Sequence, residues 1–270
     1  MSKAIKFLEH LGFIINYKKS SLVASQSCKY LGFIIDTSNF SLNLTVKKKK
    51  QILSLLNKFE VGKSFRIREF AEFLGILTSS CPAVAYSFIH CKQIERQKFL
   101  ALKINGGNYK GKIRIDESMK KDLIWWKTHA AIGSHPIRKY QFKKEIFSDA
   151  SLTGWGCFCE GKKSFGFWSN EEKRKHINYL ELLAAFFAIK SFASELSECE
   201  ILLSLDNTTA ISYVNKSGGV QFPHLSELSR RIWEWCETRH IWLKASYIPS
   251  LKNVEADEAS RNVNDDTEWE

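Results

Sequence analysis

Apolar positions recur along this chain with two different periods. Ile5, Leu8 and Leu11 are spaced as on one helical face. The runs 12–16 and 30–36 are short, dense in Ile and Phe, and predict strands. Thr45 stands as an N-cap before a basic amphipathic helix with the apolar stripe Ile52, Leu55, Leu56 and Phe59. Helical spacing continues over 66–80, 84–102 and 116–130, broken by the turn Asn105-Gly106-Gly107-Asn108 and ended by Pro136. The first half thus reads as a β-hairpin followed by helices, with a linker near 131–144.

Beyond that point the pattern changes. Residues 145–149 and 153–159 predict one long strand with a kink, and 163–168 its antiparallel neighbour. The stretch 178–195 is apolar nearly all round (Leu180, Leu182, Leu183, Phe186, Ile189), which predicts a helix buried on most sides. A short strand, 201–205, stops at Asp206. Helices at 207–215 and 223–239, a strand at 241–248 and a terminal helix from 252 complete a mixed α/β sheet of about five strands.

Charge divides the chain in the same place. Residues 1–144 hold 27 Lys and Arg against 9 Asp and Glu, a net +18, whereas residues 145–270 hold 13 against 20, a net −7. A basic half joined to an acidic one suggests an arm that grips a polyanion. No apolar run reaches the roughly 20 residues of a membrane span. The seven cysteines are scattered and odd in number, so they predict reduced thiols in an intracellular protein, with cytoplasm and nucleus equally open.

Four acids fall where such a sheet can gather them. Asp149 lies on the first strand, Glu181 in the buried helix, Asp206 at the end of an apolar strand, and Asp257 near the terminal helix. A glutamate inside a run of Leu, Ala and Phe needs a partner or a metal. Converging carboxylates repel unless a divalent cation neutralises them, and all-oxygen ligation suits Mg²⁺ or Mn²⁺.

The residues around these acids resemble a known family. FSDAS-TGWG (147–156), YLELLA (179–184), DNTTAISYVNKSGG (206–219) and IPS-N-AD-SR (248–261) follow the order found in the ribonuclease H domain of retroelement reverse transcriptases, gypsy-like or DIRS-type. The resemblance implies an Asp-Glu-Asp-Asp quartet, Asp149, Glu181, Asp206 and Asp257, serving as both catalytic residues and ligands of two Mg²⁺ ions, with Mn²⁺ as the alternative. It implies cleavage of RNA paired to DNA by a two-metal mechanism. Asn207, Thr208 and Asn253 flank matched acids; contact with the nucleic acid and capping of helix starts are both open to them. One stretch departs from the pattern: Tyr247 and Ser250 stand where gypsy-like enzymes commonly carry His and Gly.

The first half resembles the later part of a reverse transcriptase. Residues 1–44 match the palm end with a primer-gripping hairpin, 45–144 the thumb and connection, and 145–270 the ribonuclease H domain. Lys47, Lys48, Lys49, Lys50, Arg66 and Arg68 suit sequence-independent phosphate contact with a hybrid or template–primer duplex. The family's Tyr-x-Asp-Asp polymerase turn is absent, and no Asp-Asp pair precedes Asp265-Asp266, so no polymerisation is expected. The rival expectation is a non-catalytic scaffolding subunit paired with a polymerase-bearing chain. Zinc at Cys81, His90 and Cys91 is disfavoured by their spacing.

Overall fold

A computed structural model describes residues 2–261; the pair Asp265-Asp266 lies outside them. Helix α1 (Ser2–His10) opens the chain as its spacing predicts. The run 12–16, expected to be a strand, is not one. It pairs with no strand among the described residues, and Ile14 is 98% exposed. A strand needs a neighbour for its backbone groups, and β-propensity alone does not supply one.

The second run is also divided. Strands β1 (Ser27–Tyr30) and β2 (Phe33–Asp36) form an antiparallel hairpin in which Tyr30 faces Phe33. Leu31 (φ 47°) and Gly32 (φ 85°) make the two-residue turn, whose consecutive left-handed residues match the twist of the strands. Next come β3 (Ser41–Leu44), α2 (Val46–Lys58), β4 (Ser64–Arg66), α3 (Ile67–Thr78), α4 (Ile89–Ile104), β5 (Lys112–Arg114), α5 (Lys120–Ile132) and β6 (Ser134–Pro136). Strand β6, in the segment read as a linker, closes a sheet of order β1-β2-β3-β6. Thr45 caps α2 through its side chain, as expected. The stripe of α2 packs on α3 and α5, with Phe59 and Phe73 stacked 4.4 Å apart.

The remaining elements are β7 (Phe142–Ala150), β8 (Gly154–Cys159), β9 (Lys162–Phe167), α6 (Ile177–Ala193), β10 (Glu200–Leu205), α7 (Thr208–Asn215), α8 (Pro223–Glu237), β11 (Trp242–Tyr247) and α9 (Val254–Ser260). Residues 145–159 are two antiparallel strands, not one kinked strand. The Ser151 side chain accepts from the Gly154 amide at 3.0 Å and folds the turn between them. The sheet order is β11-β10-β7-β8-β9, with β10 parallel to both neighbours and β7-β8-β9 antiparallel. Helix α6 is covered by β7 and β8 on one side and by α7 and α8 on others, which explains its apolar circumference. Gly156 is required: a Cβ there would lie 2.2 Å from the Ser260 amide, because α9 rests directly on β8.

The two hydrophobic cores meet at Trp125, which packs against both. Around it α4 and α5 join α8 through buried charge. Asp122, with no exposed surface, accepts from His90 at 2.9 Å and from Arg230 at 2.6 and 3.1 Å. The other ring nitrogen of His90 lies 3.3 Å from Glu237, which also accepts from the Trp125 indole at 2.8 Å.

Candidate metal centre and nucleic-acid interface

Strand register builds the acid cluster. In the parallel pair β7–β10, Phe147 faces Ser204, a register that sets Asp149, still paired with β8, level with Asp206 just past the end of β10. Glu181 projects from the second turn of α6, the helix packed across β7. Each of the three offers a carboxylate oxygen, all within 4.8 Å of one another, with Asp149 5% and Glu181 8% exposed.

This arrangement is electrostatically costly on its own. Burial, then the charges of Asp149 and Asp206, push the Glu181 carboxyl up to about 9, although a backbone hydrogen bond from Ala150 works against them. Burial also raises Asp149, opposed chiefly by the Ser260 hydroxyl, while Asp206 and Asp257 add to the rise. Three oxygen donors drawn together in a partly dry site fit a hard divalent cation such as Mg²⁺ or Mn²⁺.

Asp257 is not brought into the group of three. Its carboxylate accepts from the Arg261 guanidinium at 2.7 and 2.9 Å, although its charge reaches Asp149. Asn207 caps α7 by accepting from the Ala210 amide at 2.9 Å and donates to Asn178 at 3.1 Å. Thr208 is the exposed first residue of α7. Asn253 is buried and caps nothing with its side chain; it donates to the Ser148 carbonyl at 3.1 Å and ties the segment before α9 to β7 beside Asp149. Sequence reasoning missed two contacts to the cluster: Ser250 Oγ donates to Asp206 and Ser260 Oγ to Asp149, each at 2.7 Å.

The lysine run divides by geometry. Lys48 Nζ donates to the Ser79 carbonyl at 3.0 Å and lies over the Phe33 ring; burial lowers its pKa. Lys49 Nζ donates to the carbonyls of Ala131 and Ile132 at 3.0 and 3.2 Å. Both ammonium groups therefore satisfy carbonyls at helix C-termini, where cations are favoured. Lys47, Lys50, Arg66 and Arg68 are exposed. The Cys81 and Cys91 sulfurs lie 3.7 Å apart, but both ring nitrogens of His90 are engaged by carboxylates, so no zinc set forms there. A cavity of about 800 Å³ at the start of α6 and along α7 is lined by Arg174, Lys175, Asn178, Thr209 and Lys216 among others, and by none of the four acids.

The five-stranded mixed sheet, backed by a buried central helix, is the mixed α/β sheet that the pattern of residues 145–270 predicts. No family model matches the chain. The chain is similar to the "Enzymatic polyprotein" of cauliflower mosaic virus (strain D/H), at 26% identity over 269 residues, which is 94% of this chain and 36% of the polyprotein. The chain spans about a third of the length of the relative it matches. Similar solved structures include ribonuclease H1 of the halophilic archaeon Halobacterium salinarum, at 19% identity, covering 43% of this chain and 92% of that one with a TM-score of 0.36. A foamy viral protease–reverse transcriptase in complex with double-stranded DNA is 15% identical and covers 92% of this chain and 42% of that one, with a TM-score of 0.39. Among the described residues no helix is long and apolar enough to cross a membrane.

Proposed function

We propose that this chain cleaves the RNA strand of RNA–DNA hybrids, as the ribonuclease H part of a reverse transcriptase. The observation that carries the reading is the convergence of Asp149, Glu181 and Asp206 from three separate elements into one partly buried cluster. Those three would hold divalent cations, with Asp257 completing the quartet once the hybrid and metal draw it from Arg261. Bound cations supply an activated water and stabilise the leaving oxygen. The chain's own residues do the remainder: α6 keeps Glu181 dry, β7 and β10 align the two aspartates, and the cavity flanked by Arg174, Lys175 and Lys216 accommodates a strand of the duplex.

The division of labour follows the charge. Residues 1–44 and 45–144 act as palm end and as thumb with connection, gripping the duplex through phosphates, and residues 145–270 carry the chemistry. The chain contains no Tyr-x-Asp-Asp turn, so it is expected to extend no primer. A gel assay on labelled hybrid with Mg²⁺, Mn²⁺ or EDTA tests the reading. RNA cleavage that requires the metal supports it; tight binding with no cleavage under any metal favours the scaffolding role.

A further inference from the structure

The segment 250–260 touches the acid cluster at two points and the strand beside it at a third. Ser250 Oγ donates to Asp206 Oδ2 at 2.7 Å, Asn253 to the Ser148 carbonyl at 3.1 Å, and Ser260 Oγ to Asp149 Oδ2 at 2.7 Å. The Ser260 hydroxyl also lies 2.9 Å from the Asp257 carbonyl, but it has a single proton. A carboxylate is the stronger acceptor, and the Asp257 carbonyl already accepts from the Arg261 amide at 3.2 Å, so that proton belongs to Asp149. Ser260 is itself fixed: it is 2% exposed, and its backbone rests on Gly156, which leaves no room for a side chain between α9 and β8.

We propose that Ser260 and Ser250 are positioning residues for the cluster. Each holds one oxygen of one aspartate, and among the described residues the other oxygen has no hydroxyl donor, so the carboxylates are oriented before a cation arrives. This proposal rests on the reading of the cluster as a metal centre. Hydrogen bonds that orient a ligand raise metal affinity because the ligand need not be ordered at the moment of binding. Ser250, at the position where the resembling enzymes carry glycine, adds a contact that a glycine cannot make.

Binding of Mn²⁺ alone to the purified full chain, followed by electron paramagnetic resonance of the free ion without nucleic acid, tests the proposal. Ser260→Ala is expected to weaken binding about tenfold or more. Ser250→Ala should weaken it less, since that hydroxyl is exposed, and Ser250→Thr should restore it by returning the donor. Thermal unfolding in EDTA checks that each variant is folded; if Ser260→Ala is not, the Ser250 pair decides. If Asp149→Asn loses Mn²⁺ while both alanine variants bind as the parent does, the positioning role is overturned and the metal centre stands. If Asp149→Asn binds as tightly as the parent, both fall.

Discussion

Arg230 on α8 grips Asp122 on α5 with two hydrogen bonds, 2.6 and 3.1 Å long, at a carboxylate with no exposed surface. The same carboxylate accepts from His90 on α4, so one buried acid binds three helices together. Removing the acid takes from the half-buried Arg230 its two-point partner and leaves it Glu234 on its own helix. Breaking such a pair from one side costs more than the net worth of the pair.

Asp122→Ala is therefore expected to destabilise the protein by roughly 3–5 kcal/mol, read from the midpoint of urea unfolding. Arg230→Met combined with Asp122→Leu should recover much of that loss, since both charges then disappear together. A single Asp122→Ala variant with the parent's midpoint would show that the cluster is not buried as described.

The carboxylate cluster gives a second expectation. If the cluster holds the cations as proposed, Asp149→Asn and Asp206→Asn each remove one charge from that site, so cleavage of hybrid should fall by orders of magnitude while binding of hybrid persists. Initial rates and a filter-binding isotherm on the same preparations separate the two. Undiminished cleavage by Asp206→Asn would remove the cluster from the chemistry.

Glu181 also predicts how stability depends on pH. In the folded, metal-free protein its carboxyl keeps a proton up to about pH 9, whereas a free glutamate ionises near 4.5. Between those values the folded state binds more protons than the unfolded chain. The stability this proton contributes is therefore full below about pH 4.5 and is lost as pH rises through about 9. In EDTA, Glu181→Gln should melt above the parent at pH 9 and close to it at pH 4. Mg²⁺ at pH 8 should raise the parent's melting temperature, because the cation takes the place of the proton. A parent that gains stability relative to Glu181→Gln between pH 5 and 9 would contradict the burial of this group.

These expectations divide by how much of their basis a single sequence carries. Helix α6 and strand β10 were legible because burial on several sides writes apolar runs, and Glu181 stood out because nothing in such a run excuses it. Strand β6 was not legible: Ser-His-Pro has no pattern, and it is a strand only because β3 lies beside it. The run 12–16 failed for the converse reason, having the residues of a strand but no partner among the described residues. In Lys120-Lys121-Asp122 the acid reads as an ordinary solvated helix residue until α8 covers it. Ser250 and Ser260 are equally silent, since a serine hydroxyl announces its acceptor only in three dimensions.

The lysine run carries the last expectation. Lys47 and Lys50 face solvent, whereas Lys48 and Lys49 donate to carbonyls that end α3 and α5. If the basic half grips a duplex through phosphates, affinity should fall steeply with salt, each neutralised phosphate contributing about −0.9 to the log–log slope on B-DNA. Lys47→Ala with Lys50→Ala should flatten that slope by one to two such steps and weaken binding to hybrid and to DNA duplex alike, since phosphate contacts carry no sequence information. Its melting temperature should match the parent's. Lys48→Ala with Lys49→Ala should do the reverse, because those side chains hold helix ends and not a ligand: the slope stays near the parent's and the protein melts lower, each lost contact costing about 0.3–1 kcal/mol. Binding isotherms at four salt concentrations, beside a melting curve for each double variant, distinguish the pairs. Identical salt slopes for Lys47→Ala/Lys50→Ala and the parent would take the start of α2 out of the nucleic-acid interface.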